Sequence, residues 1–123
     1  MLLTCININC KEQDFIDQIL DGIKTVETRE RNTLRSCVGK RVGVIRTGCG
    51  KAKLVGYVNI DDVIVYKNGN EFRRDEAKHL VKVGSKYDIK QDGIKYGYVL
   101  SHPERCEEMD VASNGIVIRK VVI

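Results

Sequence analysis

The sequence predicts an α+β domain: a small β-barrel, or a strongly curled sheet, of about six strands with two main helices packed at its ends. Three observations lead there. Apolar, β-prone runs outnumber helical ones along the chain. Consecutive β runs between Arg41 and Tyr66 favour antiparallel pairing. Apolar residues recur at helical spacing in only two stretches, near 11–23 and 71–83. The 123 residues suit one domain over 1–123 with a core of its own. No repeat, low-complexity run or interdomain linker interrupts it.

The elements follow in order. Leu2 to Ile8 is apolar and reads as a first strand. Asn9 is placed to cap a helix, with Glu12 as its capping-box partner. Phe15, Ile16, Ile19, Leu20 and Ile23 give that helix, from Lys11 to about Leu20, one buried stripe. Gly22 ends it, because a left-handed cap costs glycine little. A charged strand runs from about Thr25 to Glu30, and a connection spans Asn32 to Gly39. Arg41 to Thr47 is a strong strand, and Gly48-Cys49-Gly50-Lys51 is a turn. Lys53 to Tyr66 is a long β segment in which Asp61-Asp62 suggests a bulge. Asn68-Gly69-Asn70 closes it. Glu71 to Val83 reads as a weaker second helix, ended by Gly84-Ser85, and Lys86 to Lys95 as a polar loop. Tyr96 to Leu100 is a strand that His102-Pro103 breaks. Gly115 to Ile123 is the last strand.

Composition excludes more than it selects. A net charge of +4 permits a nucleic-acid partner without demanding one. Trp is absent and Phe occurs twice, so base stacking falls to Tyr or Arg. The five Cys are odd in number and scattered, and no secretory leader is evident, so reduced intracellular thiols and a cytoplasmic location are expected. No Cys-x-x-Cys pair occurs, and His79 and His102 lie far apart, so no metal or other cofactor is expected. No stretch is apolar enough to span a membrane. P-loop, Rossmann and Gly-x-Ser-x-Gly signatures are missing.

The charged strand after Gly22 is the candidate site. Alternation puts Glu27, Arg29 and Arg31 on one face and Val26 and Thr28 on the other, with Lys24 at the entrance. Lys24 and Glu27 suit either a general acid/base pair or a cation and acceptor gripping a base edge and phosphate. Arg29 suits a bidentate contact to phosphate, or a brace for Glu27. The plain alternative is a solvated charge cluster on an edge strand. Secondary candidates are Arg46, Lys51 and Lys53 around the Gly48–Gly50 turn, which suit phosphate or solvent. Tyr96 and Tyr98 suit base stacking or core packing. Cys49 suits a hairpin or a nucleophile. Glu71 is a distant carboxylate at a helix start, and His102 a loop contact.

The run Gly22-Ile23-Lys24-Thr25-Val26-Glu27-Thr28-Arg29 resembles the Gly-x-Lys-x-x-Glu-x-Arg signature of the ASCH family, whose fold is a PUA-like β-barrel. The order of elements is similar too: Gly39-Lys40-Arg41-Val42, then Leu54 to Val58, then Tyr98 to Pro103, so the resemblance covers nearly the whole chain. It implies an RNA-binding module, or one for a small nucleoside or nucleotide, with Lys24, Glu27, Arg29, Arg46 and Tyr98 as candidate ligand contacts. It also implies a possible enzyme. Some bacterial members are amidohydrolases of acetylated cytidine and others are ribonucleases. In the amidohydrolases a Lys acts with a Thr three residues on. Lys24 matches that lysine, but Glu27 stands at the threonine position, so the expected nucleophile is missing. Lys24 and Glu27 are then the catalytic candidates. A non-catalytic interaction domain is the remaining alternative. Oligomeric state is not encoded in any feature of the sequence.

Overall fold

The computed structural model describes residues 2–11, 13–112 and 118–122. Strands β1 (Leu2–Asn9), β2 (Val26–Arg29), β3 (Lys40–Thr47), β4 (Lys53–Tyr66), β5 (Lys95–Asp110) and β6 (Ile118–Val122) form one sheet in the order β2-β5-β4-β3-β1-β6. Helices α1 (Ile16–Leu20), α2 (Gly69–Arg74) and α3 (Glu76–His79) and a 3-10 turn (Arg35–Cys37) fill the connections. β1 runs parallel to β3, and the remaining pairs are antiparallel. The crossover from β1 to β3 therefore carries α1 and β2.

The α+β expectation holds, but the barrel closure does not. β2 and β6 stand at opposite ends of the strand order, and no pairing joins them among the described residues. The pairing of β4 with β5 is interrupted by irregularities. The register shifts between Ile60 and Asp62, where the Asp61-Asp62 bulge was expected. It shifts again between Tyr57 and Asn59, opposite Ser101 to Glu104. A bulge twists a strand and leaves an unpaired residue. His102 there takes φ of 49°, and Pro103 is accommodated without ending the strand. The expected break at His102-Pro103 is thus a bulge inside a continuous β5.

Sequence also undercounts β5 beyond Pro103. Glu104 to Asp110 carries few apolar residues. Its pairing with β4 is accompanied by ion pairs: Arg41–Glu104 at 2.7 Å, Lys53–Glu108 at 3.6 Å and Lys53–Asp110 at 3.7 Å. Charge complementarity across strands replaces apolar alternation there.

Both expected helices are shorter than their apolar patterns. Asn9 does not cap a helix; its Oδ1 accepts from Lys11 N at 2.7 Å, and Asp14 Oδ1 accepts from Ile16 N at 3.0 Å. These local turns compete with helix formation up to Phe15. Glu12, the expected capping partner, lies outside the described residues. The second helix starts earlier and splits at Asp75. Asn68 caps α2 by accepting from Glu71 N at 2.9 Å, and Leu80, at φ 60°, ends α3 before Val83. Of the final strand, Gly115 to Val117 and Ile123 lie outside the described residues.

The core has a main layer, including Ile6, Ile16, Ile19, Val44, Ile60 and Tyr98, between α1 and the sheet. A second cluster of Phe15, Tyr66, Phe72, Val81 and Ile89 lies under α2, α3 and the 86–95 segment. Each fully buried aliphatic or Phe side chain contributes about 1.5–3 kcal/mol. The Gly48–Gly50 turn forms as expected, with φ of 85° and 87° at its two glycines. The expectation of reduced thiols is corrected at two positions: Cys10 and Cys49 are disulfide-bonded, with Cα atoms 6.1 Å apart. They are 39 positions apart in sequence. Folding brings the residue after β1 beside the β3–β4 turn, a proximity that spacing alone does not reveal.

Candidate functional site

The end of α1 sets the geometry of the site. Gly22 N donates to Ile19 O at 3.0 Å and Ile23 N to Gln18 O at 2.9 Å, the paired bonds of a Schellman cap. Gly22 has φ of 78°, as such a cap requires. Lys24 N also reaches Gln18 O at 2.9 Å, and Thr25 is stitched to Lys78 O and to Leu100 N at 2.9 Å each. The chain is thereby turned inward at Lys24.

Lys24 is not at an entrance; it is 1% exposed. Its Nζ donates to the carbonyl of His79. The ammonium lies 4.1 Å from the centroid of the Phe15 ring and 4.0 Å from Glu27 Oε1. Burial is the main influence on this amine and lowers its pKa from 10.5 to about 8; Glu27 opposes the shift, while Arg29 and Lys95 add to it. Glu27, itself buried, accepts from Arg29 Nη2 at 2.9 Å through its other oxygen. Arg29 Nη2 also reaches Asn7 O at 3.0 Å. Its Nε is buried and has no hydrogen-bond partner among the described residues.

Glu27 and Arg29 line a cleft of about 300 Å³. Its walls include Asn9 at the end of β1, Phe15 before α1, and Lys86, Tyr87 and Lys95 from the 86–95 segment. Phe15 and Tyr87 meet edge to face, with centroids 5.7 Å apart. Lys24 lies behind Phe15 and Glu27 rather than in the wall. Of the three charged candidates, Glu27 and Arg29 face the cavity and Lys24 lies beneath them. An exposed charge cluster does not describe these residues, because Lys24 and Glu27 are buried. Lys95 is also buried, and its amine is lowered by desolvation, against the pull of Glu30 and Glu27.

A family model of the ASCH domain matches residues 11–113. The chain belongs to the ASCH family. No curated protein matches it. Among solved structures, a serine-to-alanine variant of the ASCH protein from Zymomonas mobilis aligns with a TM-score of 0.76 at 13% identity, covering 97% of this chain and 87% of that one. The crystal structure titled as ASCH from the same organism gives 0.72 at 16% identity, covering 88% and 73%. A tyrosine-to-phenylalanine variant gives 0.67 at 15%, covering 88% and 75%. At these identities the likeness is one of fold.

The remaining candidates of this ASCH domain fall elsewhere. Arg46 pairs with Glu108 at 3.0 Å and does not line the cleft. Tyr98 is a core residue: its hydroxyl donates to Asn32 Oδ1 at 2.7 Å and accepts from Leu34 N at 3.2 Å. Tyr96 is half-buried against the same core, so the two tyrosines do not form a shared stacking face. Cys49 is held in the disulfide. Glu71 serves the start of α2, accepting from Lys67 N at 3.1 Å. His102 sits beside Arg41, Asn59 and Ser101 on an exposed face away from the cleft.

The ASCH cleft also uses residues that sequence pattern did not single out for function. Phe15 belongs to the apolar stripe but turns toward Lys24. Tyr87 and Lys95 come from a segment that reads as a polar loop; Tyr87, an aromatic between turn signals, is the one clue there. His79 is fully buried, stacked on Phe72 with centroids 4.1 Å apart. Its Nδ1 accepts from Val81 N at 3.0 Å, so Nε2 carries the proton and donates to Phe72 O at 2.6 Å. The ring is a neutral positioning device, and burial holds its pKa below 6.5. Among the described residues no cluster of His, Cys, Asp or Glu is arranged to hold a metal ion, and no helix is long and apolar enough to cross a membrane.

Proposed function

We propose that this ASCH domain binds RNA, or a nucleoside or nucleotide unit, in the cleft faced by Glu27 and Arg29. The carrying observation is the combination in one cavity of about 300 Å³: an acceptor (Glu27), a cation (Arg29), and two aromatic rings (Phe15, Tyr87). A base has donor and acceptor edges, a flat face and a linked phosphate, and these groups match those needs. The volume suits a nucleoside-sized group. Lys24 holds Glu27 and Phe15 in place from beneath and adds positive potential.

Calorimetric titration with uridine monophosphate, cytidine and a short oligouridylate tests this. Binding should weaken tenfold or more in Arg29→Ala, since a charge-assisted hydrogen bond contributes about 1.5–3 kcal/mol. Absence of affinity for all three probes would overturn the reading.

One observation favours a second reading, a hydrolase of a modified nucleoside or of RNA. A lysine amine lowered to about 8 is partly neutral near physiological pH and is matched to proton transfer beside Glu27. Against it, the amine is covered by Phe15 and does not line the cavity, which ranks binding first. Turnover of acetylated cytidine or RNA that disappears in Glu27→Gln, with folding unchanged, would promote the enzyme; no turnover by the unaltered protein would dismiss it.

A further inference from the structure

Three concavities on the described surface share walls. The cleft ends at Glu30 and Lys95. The same two residues line a second hollow of about 180 Å³ that continues to Lys90, Gly93 and Ile94. Lys90 and Gly93 in turn border a third, more polar hollow of about 440 Å³, which reaches Lys67, Asn68 and Arg73. The three hollows adjoin in a row, from β2 along the 86–95 segment to the start of α2.

Its chemistry is uneven in a useful way. Ile94 is 48% exposed in the middle section, an apolar side chain with no core to fill. Lys90 crosses that section to Glu30 at 3.4 Å, an exposed ion pair that holds little free energy and that a phosphate can replace. The far section offers the exposed cations Lys67, Lys90 and Arg73, of which Arg73 is oriented by Asp88 at 3.0 Å, with amide donors from Asn70 and Gln91 and one carboxylate, Asp92. Cations spaced along a groove, with planar or apolar side chains between them, match a chain of phosphates carrying bases. A free nucleoside would fill only the first section.

We propose that the groove beyond the cleft is a second binding site, for the phosphates of a single-stranded oligoribonucleotide whose one base occupies the cleft. This rests on the function proposed above and narrows it: the ligand is a strand, not a free nucleoside. Lys67 and Lys90 are its phosphate contacts.

The test measures affinity for uridine monophosphate and for di-, tetra- and octauridylate as a function of salt. Affinity should rise with length to the tetramer or beyond. In Lys67→Ala/Lys90→Ala the octamer should lose affinity on the order of tenfold at 0.15 M salt, and the slope of log K against log salt should fall by about 0.7 per lost contact. Binding of the monophosphate should not change. Both lysines are exposed, so folding is not at issue, and a Lys67→Arg/Lys90→Arg protein should regain the octamer affinity. If the octamer binds no better than the monophosphate, or the double variant binds it as the unaltered protein does, the second site is refuted while the cleft reading stands. If neither probe binds, both fall.

Discussion

Lys24→Met is the most informative single perturbation. Methionine has a similar reach, and its thioether suits the Phe15 ring. Between pH 8 and 10.5 the buried amine has lost its proton in the folded chain but keeps it in the unfolded one. The folded pKa lies below the unfolded value, so the stability of the unaltered protein rises with pH across that window. Taking pKa values of about 8 and 10.5, burying the charged amine costs ~3 kcal/mol at pH 7 and ~1 kcal/mol at pH 10. The Met variant escapes this cost but leaves the His79 carbonyl without its donor, a loss of about 1–3 kcal/mol. It should therefore be as stable as the unaltered protein at pH 7, or more stable by up to ~2 kcal/mol, and its standing should fall by ~2 kcal/mol by pH 10. Urea unfolding of both proteins at pH 7, 8, 9 and 10 reads this directly. Taking the difference cancels other titrating groups such as Lys95. A difference constant to within ~0.5 kcal/mol over that range would show that Lys24 titrates alike in the folded and unfolded chains, and the account of a desolvated amine would fail.

Further outcomes are expected. Because burial holds His79 below its ordinary pKa, the unfolded chain takes up a proton first as pH falls through 6.5, and stability should decline there in unfolding curves; His79→Gln should flatten the decline. Gly22→Ala places a Cβ at φ 78° with only ordinary contact to Pro103 at 3.8 Å, so thermal unfolding should show a loss of about 1–2 kcal/mol from backbone strain alone. Reduction of Cys10–Cys49, or Cys49→Ser, opens a loop with a sequence separation of 39, and chain entropy gives a destabilisation of about 4 kcal/mol in denaturant titration. Tyr98→Phe removes the hydroxyl shared by Asn32 and Leu34, costing about 1–3 kcal/mol of stability while leaving uridine monophosphate affinity unchanged, which separates Tyr98 from the cleft.

The sequence by itself determined the elements whose cause is local. Gly22 stops α1 because only the left-handed region closes the Schellman cap. Asp61-Asp62 marks a bulge because a doubled carboxylate cannot continue a buried strand face. The signature from Gly22 to Arg29 placed Lys24, Glu27 and Arg29 on one turn and one short strand, so the heart of the site was written in eight consecutive residues. Tertiary structure decided the rest, because those features depend on which segments meet. Whether Lys24 is a surface cation or a buried one rests on Phe15 and the His79 carbonyl, which local spacing does not relate to it. Tyr98 became core, and not a stacking face, because β2 and the Asn32–Leu34 segment cover it. The sheet stayed open because closure is a property of its edge strands, not of any strand's pattern. The charged half of β5 was hidden for the same reason: its partners lie on β3 and β4, and charge pairing across strands leaves no apolar period along one. The cleft itself exists only where β2, Phe15 and the 86–95 segment come together.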